Sequence, residues 1–114
     1  SEKTPGGNDN EANLTITLTP DVGATIAKAL GTTYDVRVNI TSAMPPQGVE
    51  VTVIYKKDSD NSVVFSQTQR SSANQINFTI TNIPFNEVGT VTVTAKSVSK
   101  PSNTATASFK LTRK

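Results

Sequence analysis

The stretch VEVTVIY at residues 49–55 is a regular alternation in which every second side chain is apolar. A period of two places Val49, Val51, Val53 and Tyr55 on one face of an extended strand, as a half-buried strand requires. β-Branched and aromatic residues also fit a pleated, half-buried surface. The stretch therefore predicts a strand of a sheet with one face turned to a core.

Six further runs of the same alternation occur along the chain. Turn-forming segments such as Pro45–Gly48 and Asp58–Asn61 separate them. Seven short strands at this spacing, with no strong helix between them, predict an all-β sandwich rather than alternating strands and helices. The other predicted inward positions are Leu14, Ile16, Leu18, Tyr34, Val36, Val38, Ile40, Val63, Phe65, Ile76, Phe78, Ile80, Val91, Val93, Ala95, Ala105, Ala107, Phe109 and Leu111.

Residues 21–31 fit this pattern poorly. Val22, Ile26, Ala29 and Leu30 lie at helical spacing, after an aspartate and before a glycine. Glycine and threonine within the stretch are poor helix formers, however. We expect an irregular segment that crosses between the two sheets, with a single helical turn as the alternative.

The run EVGTVTVTA resembles the E–F corner and strand F of immunoglobulin-like domains, whose pattern is acidic-x-Gly-x-Tyr-x-Cys-x-Ala. Glu87, Gly89 and Ala95 match that pattern, whereas Val91 and Val93 stand where the tyrosine and the cysteine would. The chain has no cysteine and no tryptophan, so the resemblance is to the looser bacterial immunoglobulin-like and fibronectin-III-like group. It implies a seven-stranded immunoglobulin-like β-sandwich with Greek-key topology.

The beginning of the chain differs in composition from the rest. Residues 1–12 contain turn formers and charge but no apolar period, which predicts a flexible linker before a domain at residues 13–114. This polar start resembles the segment that follows the lipid-modified cysteine of bacterial cell-surface lipoproteins. The resemblance implies that the protein is extracytoplasmic, either at the bacterial cell surface or in the periplasm. Membrane attachment would then come only through an N-terminal lipid anchor outside this chain.

The composition excludes most catalytic chemistries. The chain has no histidine and no cysteine, so Ser–His–Asp catalysis, Cys–His catalysis and the usual zinc sites are excluded. Its nine acidic residues are scattered, so we expect no enzyme and no cofactor.

A net charge of +2 does not suggest a nucleic acid as partner. The late basic residues could form a stripe for a polyanion, but no exposed aromatics interleave with them, and solvated strand faces are the better interpretation. These residues are Lys96, Lys100, Lys110, Arg113 and Lys114.

Four residues are candidate ligand contacts. Phe85 is the one aromatic residue out of register with the inward positions, and Asn86 follows it. Asp58 and Asp60 lie in a polar run that invites a calcium interpretation, but the run departs from the EF-hand pattern, and a hairpin turn is the better interpretation. Immunoglobulin-like strand order would place these four residues at the end of the sandwich away from the linker.

The expected function is that of a non-catalytic, surface-exposed immunoglobulin-like module that serves as a spacer or a protein-interaction domain. The alternative is a glycan-binding accessory domain of a surface nutrient-uptake system, with Phe85 as its aromatic platform. The expected partner is accordingly an unidentified protein or glycan at the cell surface.

Overall fold

The computed structural model describes residues 11–114, so residues 1–10 of the predicted linker lie outside the described residues. Residues 11–114 form eight β-strands and no helix, in two packed sheets. One sheet has the order β1-β3-β6 and the other the order β2-β8-β7-β4-β5. The strands are β1 (Ile16–Thr19), β2 (Ile26–Ala29), β3 (Tyr34–Ile40), β4 (Val49–Lys57), β5 (Val63–Ser71), β6 (Gln75–Ile80), β7 (Val88–Ser97) and β8 (Thr104–Arg113).

The interior strand β4 confirms the alternation on which the fold prediction rests. Val49, Val51, Val53 and Tyr55 are all 0% exposed, and their neighbours on the strand are partly exposed. Antiparallel partners on both sides, β5 and β7, satisfy the backbone of this strand. The three-stranded sheet covers its inner face with side chains that include Phe78 and Ile80. The core therefore lies between the sheets, where the sequence predicts it.

The segment at residues 21–31 contains an eighth strand, so the prediction of seven strands is wrong. The segment does cross between the sheets, because it leaves β1 of the smaller sheet and then pairs parallel with β8 of the larger one. Neither an irregular course nor a helical turn describes β2. Ala27 and Ala29 are buried and alternate with exposed Ile26 and Lys28, a period of two that the helical spacing of the larger side chains concealed.

The prediction that Val63 points inward is also wrong. A β-bulge shifts the β4–β5 register between Tyr55 and Lys56, so that Tyr55 pairs with Phe65 and Lys56 with Val63. The extra residue reverses the phase of the strand at this point. Val63 is consequently 56% exposed, whereas Val64 packs against the core.

Among the described residues, no helix is long and apolar enough to span a membrane.

Candidate functional site

The four candidate contact residues lie at one end of the sandwich, which we call the distal end. Asp58 and Asp60 lie in the β4–β5 turn, and Phe85 and Asn86 lie just before β7. The backbone N–H of Asp58 donates to the carbonyl of Val88 at 3.0 Å, which joins the turn to the start of β7. The strand order thus brings two distant parts of the sequence together here.

Asp58 is engaged by the outer face of the larger sheet. Its Oδ2 lies 2.8 Å from the Lys110 Nζ, and its Oδ1 accepts a hydrogen bond from the Thr90 hydroxyl at 2.7 Å. The ammonium of Lys110 and the Thr90 hydroxyl hold the pKa of Asp58 below its usual range. The carboxylate therefore ties the turn to β7 and β8.

Asp60 is engaged within its own turn. Its Oδ1 accepts hydrogen bonds from the Ser62 hydroxyl at 2.7 Å and from the Ser62 backbone N–H at 2.9 Å. These bonds lower the pKa of Asp60. Asn61 adopts a positive φ of 62°, which asparagine tolerates in tight turns. This is the polar hairpin turn favoured from the sequence, and within residues 11–114 no three acidic side chains group together as a metal site.

Phe85 is the exposed aromatic ring of the distal end. Its side chain is 59% exposed, and the guanidinium carbon of Arg113 lies 5.7 Å from the ring centroid. The N–H of Asn86 donates to the Arg113 carbonyl at 3.2 Å, which holds this segment against the end of β8. The cation covers one face of the ring, and such an arrangement is mildly favourable. The uncovered part of the ring is exposed to solvent.

Sequence reasoning missed further apolar exposure at the distal end. Leu30 is 93% exposed and follows Ala29, which pairs with Arg113 at the end of β8. Val63, 56% exposed, lies opposite Lys56 near the end of β4. No local pattern in the sequence signals the exposure of Leu30. The distal end thus carries three of the four large apolar side chains that are exposed in the described residues.

A second polar cluster lies at the opposite end, which we call the proximal end. The carboxylate of Glu11 accepts hydrogen bonds from the hydroxyls of Ser97 (2.7 Å) and Ser99 and from the Asn103 amide at 3.2 Å. The Oδ1 of Asn103 also accepts from the backbone N–H of Leu14 at 2.9 Å. The Asn103 amide also donates to the Ala12 carbonyl at 2.9 Å. Two residues of the predicted linker, Glu11 and Ala12, are therefore attached to the domain, a contact that no local pattern in the sequence signals.

The proximal cluster predicts a pH effect on stability. Although burial alone would raise it, hydrogen bonds from Ser99, Ser97 and Asn103 hold the pKa of Glu11 below its ordinary value of 4.5. A carboxyl whose pKa is depressed on folding contributes stability that is present above the unfolded pKa and is lost as pH falls through the folded pKa. We expect the melting temperature to fall below about pH 4.5, and to fall less steeply in a Glu11→Gln variant. Equal slopes for the two proteins would contradict this role.

The late basic residues do not form one continuous stripe. Lys96 Nζ lies 3.4 Å from Glu50 and Lys110 Nζ lies 2.8 Å from Asp58, both on the outer face of the larger sheet. Arg113 instead lies over Phe85 at the distal end. Three of the five late basic side chains are thus engaged within the protein, two in ion pairs and one in a ring contact.

The outer face of the smaller sheet has a shallow polar groove. Its charged residues have partners within the protein: the Asp35 carboxylate accepts from the Thr79 hydroxyl at 2.8 Å, and Arg37 Nε donates to Asn77 Oδ1 at 3.3 Å. No aromatic ring stands free over this groove, because Phe78 is buried. The distal end is therefore the stronger candidate for a contact with another molecule.

Comparisons with known proteins place the chain in no family: no protein-family model matches it, and no match was found among curated proteins or among solved structures.

Proposed function

We propose that the chain is a non-catalytic, surface-exposed immunoglobulin-like module that acts as a spacer or a protein-interaction domain. The observation that carries the proposal is the placement of the two ends of the described chain. Glu11 is bound at the proximal end, and the backbone N–H of Lys114 donates to the Ala29 carbonyl at the distal end. Because the described chain starts at one end of the domain and reaches Lys114 at the other, the domain would hold apart any segments joined to these two ends.

The shape of the molecule supports a spacer. The described protein measures 54 × 24 × 22 Å, so its longest dimension is more than twice the other two. The ten residues of β8 run between the two ends, and at about 3.3 Å per residue they span roughly 33 Å. Paired strands of this length resist bending far better than a flexible linker of similar reach.

The strand order supports the immunoglobulin-like part of the proposal. The smaller sheet has the order β1-β3-β6, which corresponds to strands A-B-E of an immunoglobulin-like domain. In the larger sheet β8, β7, β4 and β5 follow one another, which corresponds to strands G-F-C-C′. In that assignment β2 is an A′ strand beside G. Gly89 keeps the glycine of the E–F corner, where it packs closely on Tyr55 and Lys56.

A replacement experiment separates a spacer from an interaction domain. In the full product of the encoding gene, residues 13–114 would be replaced by an unrelated rigid module of the same length. A spacer predicts that the accessibility of a tag on intact cells is kept by the replacement and lost on deletion. An interaction domain predicts that replacement and deletion have the same effect. Tag accessibility that deletion leaves unchanged would refute the spacer.

The surface location is tested on the same cells and on the gene itself. Protease added to intact cells should degrade the domain if it faces outwards, and a cytoplasmic marker protein serves as the control. An apolar signal segment followed by a cysteine, encoded upstream of Ser1, would support the lipid anchor. Protection of the domain in intact cells with normal cleavage after lysis would contradict the surface location.

The exposure of Phe85 supports glycan binding as a second candidate. A ring that is 59% exposed beside Asn86 and Glu87 offers one face for stacking on a sugar. A glycan array would compare the natural domain with Phe85→Ala and Phe85→Leu, the latter keeping apolar volume without the ring. If stacking binds the glycan, both variants should lose at least about tenfold in affinity, on the order of one aromatic contact. Leu30→Ala, an apolar change at the same end, should bind normally, and binding that survives both Phe85 variants would exclude this site.

A further inference from the structure

Strand β5 is the longest open edge among the described strands. It ends the five-stranded sheet and pairs only with β4. It has nine residues, whereas the other terminal strands β1 and β2 have four each and β6 has six. An edge of this length presents a row of backbone groups with which another strand can pair.

The register of the larger sheet identifies the backbone groups that face outwards. At the two ends of β4, the Val98 N–H donates to the Gly48 carbonyl and the Asp58 N–H to the Val88 carbonyl. Hydrogen-bonded pairs alternate along an antiparallel ladder, so even-numbered residues of β4 bond to β7 and odd-numbered residues bond to β5. The β4–β5 register then leaves the N–H and C=O groups of Ser66, Thr68 and Arg70 on the open edge.

This edge lacks the usual devices that block strand addition. The segment has no proline and no lysine, and its bulge lies at the first residues, before Ser66. Arg70 is the one charged residue of β5, and its Nε donates to Glu50 Oε2 at 3.1 Å, on the neighbouring strand. The edge of β6, by contrast, is partly covered. The side-chain amide of Gln69, on β5, donates to the carbonyl of Asn77, on β6, at 3.0 Å.

The open edge is complementary to itself. In an antiparallel pair centred on Thr68, Thr68 lies opposite its own copy and Ser66 lies opposite Arg70 of the second copy. This register uses all the outward-facing groups, about six hydrogen bonds in all. It opposes no two like charges, and it sets Gln67 opposite Gln69 of the second copy on the other face. Cross-strand threonine pairs and such polar pairs are favourable.

We propose that the domain self-associates through β5, antiparallel about a two-fold axis at Thr68, so that two five-stranded sheets become one continuous sheet. A second copy is the favoured occupant because a single register satisfies every outward group of Ser66, Thr68 and Arg70 without a charge conflict. The interface is narrow, so we expect a dissociation constant on the order of 100 µM. The inference does not depend on the spacer role.

The first test removes the central backbone donor. Thr68→Pro deletes an N–H that faces the open edge and leaves the ladder with β4 in place. Thr68→Val is the matched control, because both variants lose the hydroxyl contact to Thr52 at 3.0 Å and only proline loses the N–H. Sedimentation equilibrium up to about 1 mM should show that proline raises the dissociation constant at least about tenfold and that valine changes it little.

The second test introduces a charged residue at position 66 and examines the register of the β5–β5 pairing. Ser66→Lys would place an ammonium opposite Arg70 of the second copy and weaken the dimer, whereas Ser66→Glu would place a carboxylate there and tighten it. Ser66 is exposed, so both variants should keep the melting temperature within a few degrees. Added salt should reduce the difference between them.

Three results would overturn the proposal. A natural domain that remains monomeric at 1 mM would exclude the second copy as occupant. A dimer that Thr68→Pro leaves intact while the variant is folded would place the contact elsewhere. Equal effects of lysine and glutamate at position 66 would refute the register, even if β5 were the interface.

Discussion

Gly89→Ala is expected to lower the free energy of unfolding by about 3 kcal/mol or more, through overpacking at a buried position. A methyl group at this position would meet the carbonyl oxygen of Lys56 and the Cε1 of Tyr55 at less than normal contact distance. Neither can move aside easily. The Lys56 backbone belongs to the β4–β7 ladder, and Tyr55 is 0% exposed with its hydroxyl bonded to the Leu111 carbonyl at 3.0 Å.

Gly31→Ala is the matched control for this substitution. A methyl group there meets nothing within 4 Å, so the change should shift stability by less than about 0.5 kcal/mol. Urea denaturation of the natural domain and both variants measures the difference. A Gly89→Ala protein as stable as the Gly31→Ala protein would show that β4 and β7 do not pack as closely as described.

Asn103→Ala is expected to cost about 2–3 kcal/mol, because it leaves a buried N–H without an acceptor. Asn103 is only 9% exposed, and its Oδ1 accepts from the Leu14 N–H at 2.9 Å. Its amide also donates to the Ala12 carbonyl at 2.9 Å and to Glu11. The substitution should therefore both destabilise the domain and release the start of the described chain from the proximal end.

Ser102→Ala, an exposed change in the same loop, controls for disturbance of the loop itself and should be nearly neutral. Hydrogen exchange supplies a second readout, since the Leu14 amide should lose protection in Asn103→Ala and keep it in Ser102→Ala. Unchanged protection of Leu14 in Asn103→Ala would refute the assigned role, whatever the stability.

The predictable part of the fold consists of the strands in which apolar and polar residues alternate along the sequence. VEVTVIY and the run before Ala95 each show one strand whose inner face is buried, and the structure confirms both. The missed strand β2 has small inward residues, Ala27 and Ala29, and places Ile26 outwards, so its apolar pattern points to the wrong face. Its parallel pairing with β8 depends on residues some 84 positions away in the sequence, at Lys110 for Ile26.

The candidate site was predictable to a similar degree. The position of Phe85 out of register with the inward positions predicts an exposed ring, and the ring is exposed in the structure. The cation of Arg113 over the ring and the exposure of Leu30 both depend on how β8 ends, which no local pattern reports. The exposure of Val63 depends on a bulge, where one extra residue reverses the phase of the strand.

The end-to-end course of the chain and the open β5 edge together suggest how such a module would work at a surface. The axis of the proposed spacer runs along the strands, whereas the proposed strand addition extends the sheet sideways. The two contacts therefore do not compete for the same surface. The proposed spacer role and the proposed pairing through β5 are therefore compatible in one module.

The most direct test of the end-to-end arrangement is the distance between spin labels attached at Ala12→Cys and Lys114→Cys, measured by double electron–electron resonance. The chain has no other cysteine, so the labelling is unambiguous. We expect one narrow distance of about 35 Å, roughly the length of β8 and its flanking residues. A broad distribution, or a mean separation below about 20 Å, would contradict a rigid module whose ends lie at opposite poles.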